Sequence, residues 1–194
     1  MTADRAVRFQ PLSQQRQRGF TLLEVLISMV VLTIGLLAVM ATIATAVWAT
    51  QSTQEDMIAK QVATEAMESI FTARDNSQLN WSAIANTGAG GIFVSTPMPI
   101  YTPGTDGVIG TIDDTTTGQP EVLVEPGPDG IVGTTDDIKV PLNNYTRTIA
   151  IAQAVQAGVP LANLNTITVT ITYYTSRINV PKTYVLQDFI SPYH

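Results

Sequence analysis

The hydrophobic pattern divides the chain into three unequal stretches. From Val25 to Ala49 no residue carries a charge, and the polar members are only Ser28, Thr33, Thr42 and Thr45. As a helix this run would be about 37 Å long, enough to cross a hydrocarbon core of about 30 Å with some tilt. A soluble-core helix is the alternative, but such helices rarely run so far without a charge. Farther on, Ile58, Val62, Ala66 and Ile70 recur at i+4 spacing with Met57 and Met67 beside them, while Glu55, Lys60, Glu65 and Glu68 take other directions. The helix is therefore expected to continue to about Ala73, with a stripe that packs on its own domain.

The third stretch is strand-like. Asn76 to Pro103 is rich in Gly, Ser, Asn and Pro around Gly88-Ala89-Gly90-Gly91, and reads as loop with room for one short element. Thr166 to Tyr174 alternates, with Ile167, Val169, Ile171 and Tyr173 on one face and mostly threonines on the other. Tyr145 to Val155 and Thr183 to Ile190 carry weaker versions of that alternation. Three or four antiparallel strands laid on the amphipathic part of the helix make an α+β head.

Charge sharpens this division. The first nineteen residues hold Arg5, Arg8, Arg16 and Arg18 against Asp4 alone, whereas fifteen acids and six bases follow from Phe20 onward. Basic residues before the apolar run, with Glu55 and Asp56 after it, predict a cytoplasmic leader and an exported C-terminal part. A secretory signal peptide has a shorter apolar core, so this run is expected to be retained. Acidic character and the lack of a basic patch with aromatics argue against nucleic acid as a partner. With no cysteine, disulfides, thiol catalysis and thiolate metal sites are excluded. His194 is the only histidine and the last residue, and no Gly-rich phosphate loop precedes a helix. The chain is not expected to be an enzyme.

Between Arg18 and Glu55 the only ionisable side chain is Glu24. A carboxylate at a membrane span's end costs energy, less near the headgroups than the roughly 2.5–3.5 kcal/mol at the centre. If the chain leaves the bilayer for a protein assembly, the buried carboxylate needs a cation. The nearest candidate is a new α-amino group, made by cutting just before Phe20.

Gly19-Phe20-Thr21-Leu22-Leu23-Glu24-Val25-Leu26-Ile27 resembles the type IV pilin signature of glycine, aromatic residue, short apolar stretch and glutamate. Ile34-Gly35-Leu36-Leu37 and Ala63-Thr64-Glu65-Ala66-Met67-Glu68 are similar to minor pilins of the pilus-modification type, and more loosely to minor type II secretion pseudopilins. The strong match spans roughly residues 16–49. Major pilins usually have a proline farther along this helix; Ala41 and its neighbours include none, which favours a minor subunit. The resemblance implies the type IV pilin fold, cleavage after Gly19 by a prepilin peptidase, N-methylation of Phe20, and a role for Glu24 in assembly. Its implied partners are other pilin subunits and the inner-membrane assembly machinery. The corresponding division is a cleaved leader at 1–19, a span and filament core at 20–49, an amphipathic continuation at 50–75, and an extracytoplasmic head at 76–194.

The head contains an internal repeat. Residues 103–114 (PGTDGVIGTIDD) return as 126–137 (PGPDGIVGTTDD), with eight of twelve positions identical at a period of 23. Asp106, Asp113 and Asp114 in the first copy match Asp129, Asp136 and Asp137 in the second. Their oxygens suit Ca²⁺, and 127–138 is similar to the calcium loop of major pseudopilins. The three alternating ligands that an EF-hand places before its glycine are missing, and Asp-Gly and Asp-Asp also suit plain turns. Calcium ligation and paired hairpin loops both remain open here. Two functions are then in view: a filament subunit that assembles, or a membrane-tethered calcium-dependent binding module that does not polymerise.

Overall fold

The computed structural model describes residues 19–175 and 178–193, with the side chains of 178 and 179 left aside. The arginines of the expected leader (Arg5, Arg8, Arg16 and Arg18) and His194 lie outside the described residues. The chain forms two compact units, Met1–Trp48 and Ala49–His194.

Helix α1 spans Leu22–Asp75. Thr21 starts it, its Oγ1 accepting the Glu24 N–H at 3.2 Å, and Glu24 places a negative charge in the first turn, where the helix dipole favours it. In the first unit, the hydroxyls of Ser28, Thr33, Thr42 and Thr45 each donate to a carbonyl three or four residues back. Every polar side chain of the apolar run is thus satisfied by its own helix, which a hydrocarbon surrounding requires. No proline interrupts it, and it remains helical through Gly35.

In the second unit the helix buries Ala59, Val62, Ala63, Ala66, Met67, Ile70 and Ala73. The expected stripe is there, with one change. Met57 is 67% exposed, and alanines take the inner positions. A small side chain lets the neighbouring backbone come close, so alanine serves this face better than its hydrophobicity suggests.

Opposite this face lies a four-stranded antiparallel sheet in the order β1-β4-β5-β6, with β1 Met98–Pro99, β4 Tyr145–Gln156, β5 Val159–Thr175 and β6 Ile178–Ile190. The alternation in β5 is as expected: Ile167, Val169, Ile171 and Tyr173 are buried against the helix with Tyr145 and Ile149 of β4. The protein is α+β, a long N-terminal apolar helix whose later part packs on a small antiparallel sheet, as in the type IV pilin fold.

Strands β4 and β5 join directly through Ala157 (φ 50°) and Gly158 (φ 82°), a two-residue hairpin whose turn needs both central residues left-handed. β5 therefore begins seven residues before Thr166, where the alternation starts. Pro160 and a register shift opposite Gln153–Val155 hide the alternation over that arm. A separate two-stranded ribbon pairs β2 (Val122–Glu125) with β3 (Ile138–Pro141), and the second Asp/Gly repeat closes it. The first repeat precedes it in the chain and ends in a single helical turn, α2, at Asp114–Thr117. The stretch 76–103 is mostly irregular, with two short 3₁₀ turns besides β1.

The helix is also tied to the sheet by polar contacts. Tyr173 Oη donates to Asp56 Oδ1 at 2.6 Å, and Lys182 Nζ donates to the same oxygen at 3.0 Å and to Ser52 Oγ at 2.8 Å. The bond from Tyr173 chiefly, helped by Lys182, holds the Asp56 carboxyl below its ordinary range, with burial opposing. Asp56 is thus more than a charge flanking the apolar run.

Candidate functional site

Two groups of residues were singled out as sites, and they lie in different units. Gly19, Phe20 and Thr21 precede the helix in irregular backbone, and Phe20 is 83% exposed. A Cβ built on Gly19 meets nothing within 4 Å. Nothing in the chain's own described packing calls for glycine there. Glu24 sits in the first turn of the helix, and every residue from Gly19 to Val47 is exposed. Such an apolar surface is unstable in water and has to be covered by lipid or by protein.

The two aspartate loops fold alike, as their sequences require. In the first, Asp106 N–H donates to Asp113 Oδ2 at 3.1 Å, Val108 N–H to Asp106 Oδ1 at 2.8 Å, and Gly110 N–H to Asp114 Oδ2 at 2.6 Å. In the second, Asp129 N–H donates to Asp136 Oδ2 at 3.3 Å, Ile131 N–H to Asp129 Oδ1 at 2.9 Å, and Gly133 N–H to Asp137 Oδ2 at 2.7 Å. Thr111 and Thr134 each donate to the aspartate two residues on, Asp113 and Asp136. Gly107 and Gly130 (φ 71° and 73°) and Gly110 and Gly133 (φ 93° and 97°) take left-handed conformations that residues with a Cβ resist. The repeat is one structural unit used twice.

Their surroundings differ. Val108 and Ile109 are buried in the core, whereas Ile131 and Val132 are each 60% exposed. Asp114 is fully buried, with Gly104 N–H on its other oxygen at 3.0 Å and Arg147 Nη2 at 3.7 Å from Oδ2. Burial pushes the Asp114 carboxyl up, while the Gly110 and Gly104 amides and Arg147 pull the other way. Asp113 is brought below its ordinary range, burial opposing and bonds from Thr111, Asp106 and Thr105 prevailing. Asp136 is likewise lowered, chiefly by Thr134.

As for a cation, Asp106, Asp113 and Asp114 offer oxygens lying within 4.8 Å of one another. Among the described residues, Asp129, Asp136 and Asp137 do not form such a group. The grouping falls in the first copy, whereas the resemblance to a calcium loop lies at 127–138. The first loop lies against the core, and Ile131 and Val132 of the second are exposed.

The sequence reading missed Arg147. It sits at an inward position of β4 between Tyr145 and Ile149, 2% exposed, and β4's alternation could have placed it there. Around it are Asp114, Glu121 and Glu65, and its Nη2 donates to the Tyr101 carbonyl at 3.4 Å. Burial first, then the charge of Glu65, pushes the Glu121 carboxyl up to about 7, with Arg147 opposing.

The profile of the prokaryotic N-terminal methylation motif matches residues 14–40, a stretch that contains Gly19, Phe20 and Glu24. Searches of curated proteins and of solved structures found no match. With that motif leading into an exposed apolar helix and an α+β head, the chain is similar to type IV prepilins.

Proposed function

We propose that the protein is a structural minor subunit of a type IV pilus or of the related secretion pseudopilus, and not an enzyme. In this reading the basic leader stays in the cytoplasm, the apolar helix spans the inner membrane, and the head is exported. A prepilin peptidase cuts after Gly19 and the Phe20 amine is methylated. Assembly machinery then moves the helix from lipid into a bundle of other subunits' helices, where Glu24 meets a terminal ammonium. The observation that carries this is the exposed apolar helix with its one acid, directly behind an irregular Gly19–Phe20 bond inside the matched motif.

Its test is the N-terminus. Mass spectrometry of sheared surface filaments is expected to find methylated Phe20 as the first residue. Gly19→Val adds bulk where the chain itself has open space, so the head should fold as before while cleavage is blocked. Assembled parent protein that still begins at Met1 or Thr2 would leave the membrane-tethered, non-polymerising module as the better account.

A second reading concerns calcium at the first loop, favoured by the grouping of Asp106, Asp113 and Asp114. The detergent-solubilised full chain should then gain roughly 2.7 kcal/mol at a hundredfold excess over the dissociation constant, several degrees in melting temperature. Asp106→Asn with Asp113→Asn should remove the gain, and Mg²⁺ should not reproduce it, because it dehydrates reluctantly. Identical melts with calcium and with chelator would mean that these carboxylates only close turns.

A further inference from the structure

The two loops make an internal comparison that no single loop could. Both have matching aspartate-capped N–H groups and left-handed glycines, so both present an adjacent pair of β-branched apolar side chains, Val108-Ile109 and Ile131-Val132, at the same place. In the first loop those side chains, Val108 and Ile109, are covered by this chain's own core. The Ile109 N–H donates to Ser69 Oγ at 3.0 Å, and the Gly110 carbonyl accepts from Val94 N–H at 2.9 Å. Asp114 faces Arg147 beside them. In the second loop, Ile131 and Val132 stand exposed and a Cβ on Gly133 would meet nothing, whereas one on Gly110 would collide with Ile149. The β2–β3 ribbon holds this finished docking element away from the core that covers its twin.

We propose that the second loop, 126–137, docks on another protein subunit as the first docks on its own core. Ile131 and Val132 enter an apolar depression, and Asp137 faces an arginine or lysine beside it. The proposal rests on the subunit reading for the kind of partner. Charge disfavours a second copy as the occupant. Residues 101–139 hold eight acids and one base, and the chain from Phe20 onward is strongly acidic, so two such heads repel. The one arginine that plays this role within the head, Arg147, is buried against Asp114. The partner is therefore a different chain, basic where this one is acidic.

The test uses the full chain in the cells that make it, with p-benzoylphenylalanine in place of Val132, and in place of Ile112 as an exposed control in the first loop. Irradiation is expected to join the Val132 probe to one different protein, at a peptide with an arginine or lysine among apolar residues. The Ile112 probe should give none of that adduct. Asp137→Lys should cut the yield about tenfold or more, as loss of a central contact does. Ile131→Ser with Val132→Ser should lower incorporation into filaments while leaving the melting temperature of the detergent-solubilised chain unchanged. Adducts only with lipid, with another copy of this chain or with the chain itself would overturn the proposal, as would undiminished incorporation of the double variant. The two readings separate cleanly. A heterologous adduct on a chain that keeps its leader sinks the subunit reading alone, and normal processing without the adduct sinks the docking alone.

Discussion

Arg147→Met is expected to cost the head about 3–5 kcal/mol at neutral pH, because it leaves Asp114 buried without its cation. In melting temperature that is about 10 °C or more for a unit of this size. The pair is 2% and 0% exposed, so solvent screens it little. Adding Asp114→Asn to Arg147→Met should recover part of the loss, since a neutral amide tolerates the site better than a lone carboxylate. The deficit should also depend on pH. The Glu121 carboxyl is raised in the folded state from 4.5 to about 7, so the fold binds a proton there that the unfolded chain has released. Such a group costs nothing below about pH 4.5 and lowers stability progressively as pH rises toward 7. Without Arg147, which opposes the rise at both Glu121 and Asp114, this penalty grows. The variant should therefore be less impaired at pH 5 than at pH 8. Melts of parent and variant at both values decide it. An equal deficit at the two, or one under about 1 kcal/mol, would mean that the buried arginine is not compensating these acids.

Glu24 is expected to show the largest effect on assembly. Glu24→Leu makes the apolar run more continuous, so membrane insertion should be kept or improved. Incorporation into filaments should fall about tenfold or more, because an ammonium buried beside the helix loses its counter-charge. The structure adds a necessary control. Thr21 and Glu24 have the Thr-x-x-Glu spacing of a capping box, and Thr21 does accept the Glu24 N–H. Glu24→Gln preserves that local role and removes only the charge. If the charge is what assembly needs, Gln should fail as Leu does. A Gln protein found in filaments at the parent's level, with Leu alone defective, would reduce Glu24 to a residue that starts the helix.

What could be read early follows from how local each signal is. The long apolar run, the amphipathic stripe around Val62, Ala66 and Ile70, and the alternation from Ile167 to Tyr173 are patterns within one element, and period alone identifies them. The N-terminal methylation motif is local too, since Gly19, Phe20 and Glu24 lie within six consecutive residues. The β4–β5 arm was harder, because Pro160 and Asn163, with φ 61°, break the alternation just where the strand begins. Arg147 escaped because a lone arginine in a strand reads as solvent-facing until its partners are known. Those partners, Asp114, Glu121 and Glu65, come from three other segments.

The aspartate repeat shows the boundary most clearly. By itself the sequence determined that residues 103–114 and 126–137 adopt one conformation, because glycines with left-handed φ and aspartates that cap nearby N–H groups act over a few residues. Which copy would be buried was beyond its reach. Burial depends on where the chain carries each loop after folding. The first is brought against Ser69, Phe93, Ile149 and Arg147, and the second is held out at the end of a two-stranded ribbon. Tertiary structure alone made one aspartate of a matched pair a buried counter-ion and left the other at the surface, since desolvation and charge pairing arise from neighbours distant in sequence.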